Sequence, residues 1–195
     1  MPPIFVIARH AQSTLNLQGR INGDPRVNVD LTEQGVEEAR RMGLQLAQLP
    51  IDLCVHTRFG RTKETAEHAL GERRVPFSEE PLLDDIDVGE LEGDTIDAYR
   101  EWKKEHSRRD LFPGGESLDQ AAHRYAQAFG ALAERDDGVV LVVCHEIPLR
   151  YALNGAAGSA SLETPVHQLP NATPFFFARE ALARAAQAIK RLAHA

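Results

Sequence analysis

Three short runs of apolar, largely β-branched residues divide the chain, and polar side chains follow each run at once. The runs cover residues 4–8, 51–56 and 139–144, and a weaker fourth run covers residues 175–178. Continuous apolar runs of this length are typical of strands that are buried on both faces, as in a parallel sheet. The pattern therefore predicts a sheet whose strands are mostly parallel.

Helical patterns lie between these runs. Thr32 can cap a helix whose apolar side chains recur at helical spacing until Pro50. Similar patterns cover residues 61–70, 117–134, 149–154 and 179–192, while residues 18–30 and 71–93 are expected to form long loops. Alternating strands and helices predict an α/β fold, a three-layer αβα sandwich around a mostly parallel central sheet. No linker interrupts the 195 residues, so we expect one domain over residues 1–195.

Charged side chains and imidazoles follow the predicted strands. Arg9 and His10 end the first run, Arg61 follows the second, and His145 and Glu146 follow the third. Each of them alone would most often be a surface or core residue, but strand ends in open α/β folds share one ligand-binding edge. Guanidiniums and imidazoles gathered there need a compensating anion or carboxylate, and forked guanidinium donors match phosphate oxygens. The spacing therefore indicates an anion site, with phosphate as a good fit.

Composition limits the partners of such a site. The formal net charge is −7 and the pI is about 5.6, which disfavours nucleic acid as a ligand. Cys54 and Cys144 lie inside apolar runs, so we expect buried free thiols rather than a disulfide. The first apolar run is too short for a signal peptide and no run reaches membrane-spanning length, so we expect a cytoplasmic protein without membrane contact. The oligomeric state is left open, with a homodimer as one candidate.

Six segments in order along the chain resemble the motifs of the histidine phosphatase superfamily, which includes the cofactor-dependent phosphoglycerate mutases. RHAQSTLN at residues 9–16 resembles RHG-x-S/T-x-x-N, and DLT at residues 30–32 with Gly35 resembles D-x-L-T-x-x-G. TRFGRTKETA at residues 57–66 resembles S-x-x-x-R-A/T-x-x-T-A, and DDIDVGELEG at residues 84–93 resembles the acidic loop E-x-x-x-G-x-x-x-G. PGGES at residues 113–117 and VVCHE at residues 142–146 complete the series.

The resemblance implies that His10 is a nucleophile that becomes a phosphohistidine. Arg9, Arg61 and His145 would hold the phosphoryl oxygens, so neither a metal nor a cofactor is expected. The motif selects Arg61 rather than Arg58, which we interpret as a rim residue. This assignment is physically coherent because phosphoryl transfer depends mainly on positioning and on neutralising charge at the equatorial oxygens.

The resemblance also assigns a proton donor and outer contacts. The donor matches Asp85, with Asp84 in reserve, and burial near other carboxylates would raise its pKa as a general acid requires. Asn16 matches the asparagine that ends the first motif and would donate to phosphate, although stabilisation of a turn is an equal alternative. Arg20 lies where relatives often place a substrate-contacting arginine.

Three departures from the motifs bear on activity. Ala11 replaces a glycine, so the backbone there would approach a ligand less closely. Asp85 replaces a glutamate and loses about 1.5 Å of reach, and a shift of that size can cost on the order of a hundredfold in rate. Glu146 replaces a glycine beside the predicted phosphate pocket, where it would favour a cationic substrate group or pair with an arginine.

Three functions fit these features. The leading hypothesis is a metal-independent phosphomonoesterase that hydrolyses a small phosphorylated metabolite through His10. The alternatives are mutase-type phosphoryl transfer to a phosphoglycerate, and a non-catalytic protein that binds phosphorylated ligands. The compact chain and the PGGES segment favour the phosphatase branch, by analogy with the family.

Overall fold

A computed structural model describes residues 2–164, 166 and 168–193 of the chain. Within them lies one sheet of strands β1 (Ile4–Arg9), β2 (Leu53–His56), β3 (Phe77–Glu79), β4 (Val139–Cys144) and β5 (Pro174–Ala178), in the order β3-β2-β4-β1-β5. Strands β1 to β4 are parallel, and β5 is antiparallel to β1. The predicted α/β class and mostly parallel sheet are confirmed.

Helices cover both faces of the sheet. They are α1 (Thr14–Leu17), α2 (Glu33–Gln45), α3 (Gly60–Leu70), α4 (Ile96–Glu105), α5 (Leu118–Ala133), α6 (Glu146–Ala156) and α7 (Arg179–Leu192), with single 3₁₀ turns at Pro81–Leu83 and Gly89–Leu91. Side chains of α2 and α3 form a core on one face, and side chains of α5, α6 and α7 form a core on the other. The sheet is therefore the middle layer of an αβα sandwich.

Alternate residues of the central strands supply these two cores. In β1, Phe5 and Ile7 pack with α5, α6 and α7, while Val6 and Ala8 pack with α2 and α3. Because successive side chains of a strand point to opposite faces, a central strand needs apolar residues at every position. This requirement explains the continuous apolar runs and places the strand ends, rather than the strand faces, at the solvent edge.

Several predicted boundaries were wrong. The segment after residue 71 is not a plain loop, since it contains β3 and both 3₁₀ turns. Strand β3 is exposed along its length, so it lacks the apolar signal of a buried strand. Helix α2 ends at Gln45, five residues before Pro50, where the Leu46 amide bonds to both Met42 and Gly43 carbonyls and tightens the last turn. Helix α4 was not predicted because none of its residues is buried.

The cysteines lie on opposite faces of the sheet, Cys54 in the core beside α2 and α3 and Cys144 in the other core. Both are free and buried, as predicted, and burial raises the pKa of each thiol to about 12. Among the described residues, no helix has both the length and the apolar character needed to cross a bilayer.

Candidate active site

The carboxyl ends of β1, β2 and β4 meet at one edge of the sheet. The His10 amide donates to the Cys144 carbonyl at 2.9 Å, which fixes the end of β1 beside the end of β4. His10 is buried, and its Nδ1 lies 2.7 Å from the Ala11 carbonyl oxygen. A carbonyl can only accept, so Nδ1 carries the hydrogen of the neutral ring and Nε2 keeps a lone pair. Burial and the charges of Arg61 and Arg9 hold the pKa of His10 well below its usual range.

Arg61, in the first turn of α3, connects the groups at this edge. Its Nε donates to His10 Nε2 at 3.0 Å, and its Nη2 donates to His145 Nδ1 at 3.1 Å and to Asp85 Oδ2 at 3.2 Å. The side chain is 3% exposed, and burial lowers the pKa of Arg61 to about 10. The guanidinium therefore stays charged at neutral pH and holds three polar side chains around one point.

His145 caps the start of α6 and is fully buried. Its ring centroid lies 5.4 Å from that of His10, and its Nε2 lies 3.0 Å from Thr57 Oγ1. Burial, followed by the charge of Arg61, lowers the pKa of His145 well below its usual range. Both imidazoles are therefore neutral before an anion arrives.

Asp85 and Asp84 occupy different environments. Asp85 places Oδ2 3.4 Å from His145 Nδ1, its Oδ1 accepts from the Ile86 amide at 3.0 Å, and 28% of the side chain is exposed. Asp84 turns away and binds Arg58 through both oxygens, at 2.6 Å to Nε and 3.0 Å to the amide. Burial raises the pKa of Asp85 against the opposing charge of Arg61. Only Asp85 faces the imidazoles.

We call His10, Arg61, His145 and Asp85 the cluster. Arg9 and Glu146 form an ion pair of 2.7 Å at its rim. Arg9 Nη1 also donates to the Leu169 carbonyl at 2.9 Å, while its buried Nε has no hydrogen-bond partner among the described residues. A buried donor without a partner is costly, so Nε is available to an incoming acceptor. Of the two expectations for Glu146, pairing with an arginine is the one observed.

Asn16 and Arg20 lie apart from these contacts. Asn16 forms a capping box with Ser13, whose amide donates to Asn16 Oδ1 at 3.3 Å, so its side chain stabilises the turn of α1. Arg20 donates from Nη1 to the Gly93 carbonyl at 2.6 Å at an exposed position. No contact recorded among the described residues joins either side chain to His10.

Asn22 and Glu92 were missed by the sequence reasoning. Asn22 is buried, its Oδ1 accepts from Arg61 Nη1, and its carbonyl accepts from Arg61 Nη2 at 3.1 Å. The Glu92 carboxylate accepts from Asn22 Nδ2 at 2.8 Å and from the amides of Gly23 and Asp24 at 2.6 and 3.0 Å. The turn at residues 22–24 therefore orients Arg61. Its only local signal was a polar turn sequence inside a predicted loop.

The alanine that replaces the signature glycine fits the site. Ala11 is buried, its amide donates to Thr65 Oγ1 at 3.0 Å, and its carbonyl accepts from His10. It is not among the described residues with positive φ, so an alanine adopts this backbone without strain. The substitution leaves the orientation of the His10 ring intact.

A cavity of about 480 Å³ adjoins the cluster at Asp85. Carboxylates and guanidiniums line most of its wall: Asp24, Asp84, Asp85, Asp87, Glu116, Arg26, Arg58 and Arg124. Within the described part of the chain, no group of three or more histidine, cysteine, aspartate or glutamate side chains is arranged to hold a metal ion. The cluster supplies its positive charge through guanidiniums.

Most of the chain matches a known protein family and known proteins. The family described as histidine phosphatase superfamily (branch 1) matches residues 5–174. The chain is 33% identical over 187 residues to human 6-phosphofructo-2-kinase/fructose-2,6-bisphosphatase 4, covering 89% of this chain and 38% of that protein. It therefore spans less than half the length of these relatives. It is also 30% identical over 193 residues to 2,3-bisphosphoglycerate-dependent phosphoglycerate mutase of Mesorhizobium japonicum, covering 91% and 92% of the two chains.

Solved structures show the same fold. The α-ribazole phosphatase from Shigella flexneri superposes with a TM-score of 0.77 at 22% identity, over 89% of both chains. Mycobacterial glucosyl-3-phosphoglycerate phosphatase superposes with a TM-score of 0.71 at 20% identity, over 90% of both chains. Both solved phosphatases thus share the fold of this chain.

Proposed function

The chain belongs to the histidine phosphatase superfamily, and from that premise we propose that it hydrolyses a small phosphomonoester through a phosphohistidine on His10. The observation that carries the proposal is the 3.0 Å contact between Arg61 Nε and the lone pair of His10 Nε2. It supports the proposal because a neutral imidazole lies beside a cation that also contacts His145 and Asp85. A phosphoryl group at this point would meet the nucleophile, positive charge and a proton donor together.

In the first half-reaction, His10 Nε2 attacks phosphorus in line with the ester oxygen, and the phosphorus–oxygen ester bond breaks. Asp85, whose pKa is raised by burial, gives its proton to the leaving oxygen, so an alcohol departs rather than an alkoxide. Arg9 and Arg61 neutralise the negative charge on the equatorial oxygens. Because these guanidiniums supply the charge, the proposed reaction is independent of a metal.

In the second half-reaction, a water molecule attacks the phosphohistidine and the phosphorus–nitrogen bond breaks. The Asp85 carboxylate takes the proton of that water, inorganic phosphate leaves, and His10 Nε2 recovers its lone pair. The neutral imidazole of His145 lies beside the phosphoryl position and can accept or donate a hydrogen bond as the charge changes. The adjoining cavity of about 480 Å³ has room for the alcohol part of a small metabolite.

Phosphoryl transfer back to a phosphoglycerate is the second candidate. It is favoured by the mutase relatives, which match this chain over nearly their whole length. The two candidates share His10 and differ only in whether water or a bound alcohol accepts the phosphoryl group. Dependence of turnover on a bisphosphorylated primer distinguishes the mutase.

The test is release of phosphate from an aryl phosphate and from a metabolite panel, by the wild-type chain and by His10→Ala. We expect His10→Ala to abolish turnover and trapping of a phosphoprotein. His123→Ala, an exposed histidine on α5, should keep full activity. Binding of phosphorylated compounds without turnover by the wild type would instead indicate a non-catalytic protein. Loss of activity with a chelator would contradict the metal-independent reaction.

A further inference from the structure

A chain of hydrogen bonds runs from His145 into the start of α3. His145 Nε2 lies 3.0 Å from Thr57 Oγ1, and Thr57 Oγ1 lies 2.9 Å from Thr62 Oγ1. Thr62 Oγ1 in turn donates to the Phe59 carbonyl at 2.8 Å. Both threonines are at most 1% exposed, so water does not compete for these contacts. Asp85 Oδ2 lies 3.4 Å from His145 Nδ1, and no contact recorded among the described residues joins His10 or Asp85 to either threonine.

The Thr62 end of this series of hydrogen bonds determines which group donates at each step. Thr62 Oγ1 has two carbonyl oxygens in reach, Phe59 at 2.8 Å and Thr57 at 3.3 Å, and because carbonyls can only accept, its single hydrogen points to a carbonyl, with Phe59 the nearer. Thr62 must then accept from Thr57, which leaves the oxygen of Thr57 as an acceptor for His145 Nε2. The Phe59 amide also donates to Thr57 Oγ1, at 3.4 Å. The argument from the Thr62 end therefore places the hydrogen of the His145 ring on Nε2.

The guanidinium end favours the same tautomer. Arg61 Nη2 lies 3.1 Å from His145 Nδ1, and a guanidinium has donors but no acceptor. Nδ1 also lies 3.4 Å from Asp85 Oδ2, but the contact with Arg61 is shorter, so we assign the lone pair of His145 to Nδ1. A hydrogen on Nδ1 would face a hydrogen of Arg61 and push the guanidinium away from His10 Nε2, to which it donates at 3.0 Å.

We propose that Thr57 is a positioning residue that fixes the tautomer of His145, and through it the orientation of Arg61 at the nucleophile. The proposal rests on the proposed function and adds a requirement for it. Each group between Arg61 and the Phe59 carbonyl donates to the next one in the series, so the guanidinium has one favoured orientation. A phosphoryl group then meets an Arg61 guanidinium that is already oriented.

The experiment compares Thr57→Val, which keeps the shape but removes the hydroxyl, with Thr57→Ser, which keeps the hydroxyl. We measure ¹⁵N chemical shifts of the histidine rings in the ligand-free protein, together with kcat and KM for an aryl phosphate. In the wild type and in Thr57→Ser, His145 should show a protonated Nε2 and an unprotonated Nδ1. In Thr57→Val it should show a tautomer mixture, with kcat lowered about 10- to 100-fold, the range expected when a catalytic group is misplaced by up to about 1 Å.

A second variant keeps the test sharp if Thr57→Val folds poorly. Thr62→Val removes the acceptor of the Thr57 hydroxyl, which can then turn and donate to His145 Nε2, so this variant should move the hydrogen to Nδ1. A wild-type protein with its hydrogen on Nδ1 would overturn the proposal, as would a Thr57→Val protein with unchanged ring shifts and unchanged kcat. The ring shifts need no turnover, so a chain without phosphatase activity would refute the proposed function and still test this inference.

Discussion

At the scale of single residues, the two neighbouring aspartates show how the same side chain acquires different chemistry. Asp84 has both oxygens bound by Arg58, whereas Asp85 directs Oδ2 at Arg61 and His145. Both carboxylates are ion-paired, but of the two only Asp85 also contacts an imidazole, so its protonation responds to the groups around His10. Sequence alone leaves the pair ambiguous because the difference lies in the partners.

We predict that Asp85→Asn slows hydrolysis of alkyl phosphates far more than hydrolysis of aryl phosphates. Alkoxides need a proton to leave and phenolates hardly do, so the loss of a general acid should cost about 10²- to 10⁴-fold for the former. Because burial raises the pKa of Asp85, the wild-type rate on alkyl phosphates should fall as pH rises through that raised pKa. The measurement is kcat/KM against pH for both substrate types.

Asp84→Asn is the matched control for this prediction. It removes a neighbouring carboxylate that faces away from the imidazoles, so the variant should keep the wild-type dependence on leaving group, whatever its stability. An equal loss for alkyl and aryl phosphates in Asp85→Asn would show that this carboxyl does not protonate the leaving group.

Glu146 illustrates how a departure from a family motif is absorbed by its surroundings. Its carboxylate contacts Arg9 at 2.7 Å and Arg150 at 3.7 Å, and Arg150 contacts Glu163 at 3.1 Å. The charges therefore alternate from the end of β1 through α6 to the segment after it. The carboxylate neutralises part of the Arg9 charge and holds that side chain in place, while Arg9 Nε has no partner in the part of the chain that the structure describes.

At the scale of elements, the turn at residues 22–24 and the acidic segment support each other. Glu92 accepts from two amides of the turn, and Asn22 of the same turn accepts from Arg61. Gly23 is required at the contact, because a Cβ there would lie 2.1 Å from the Ile86 carbonyl oxygen. The two segments come from separate parts of the chain and meet only in the folded protein.

We predict that Gly23→Ala lowers both stability and activity. The added methyl must push the turn away from the Ile86 carbonyl, at a cost of about 1–3 kcal/mol for overpacking. A shift of about 1 Å in Asn22 and Arg61 should also reduce kcat/KM by on the order of a hundredfold. Thermal denaturation and steady-state kinetics measure the two effects.

Gly130→Ala is the matched control, since a Cβ there has no atom within 4 Å and the residue lies inside α5. It should stabilise the protein by up to about 1 kcal/mol through helix propensity and leave kcat/KM unchanged. Equal behaviour of the two alanine variants would show that the turn at residues 22–24 tolerates displacement.

What the sequence could predict follows from how local each signal is. Strands β1 and β4 and helix α7 were located within a residue because burial on both faces, or one strong apolar stripe, is visible in adjacent positions. Strand β3 and helix α4 escaped because neither has a buried residue. In the site, Arg61 was found through a motif, whereas Asn22 and Glu92 act through contacts between distant segments, which no local pattern records.

At the scale of the whole molecule, the two cores share the same strands. Phe5 and Ile7 of β1 belong to one core and Val6 and Ala8 to the other, and β4 divides its residues in the same way. Neither helical layer has another apolar surface to pack against if the sheet is lost. This arrangement supports the expectation of one domain.

We therefore predict that the chain unfolds in a single cooperative transition. Losing α2 and α3 alone would expose one face of every central strand. Such a half-folded state would still lose the conformational entropy of an ordered sheet but would bury only about half of its apolar surface, so it would be unstable. Calorimetric and van't Hoff enthalpies should agree, and far-UV circular dichroism should follow the same transition.

Trp102, the single tryptophan, lies in α4, so its fluorescence reports on a helix without buried residues. Its signal can change earlier through local opening of α4, so two separate heat-absorption peaks, rather than an early fluorescence change, would show that the layers unfold independently.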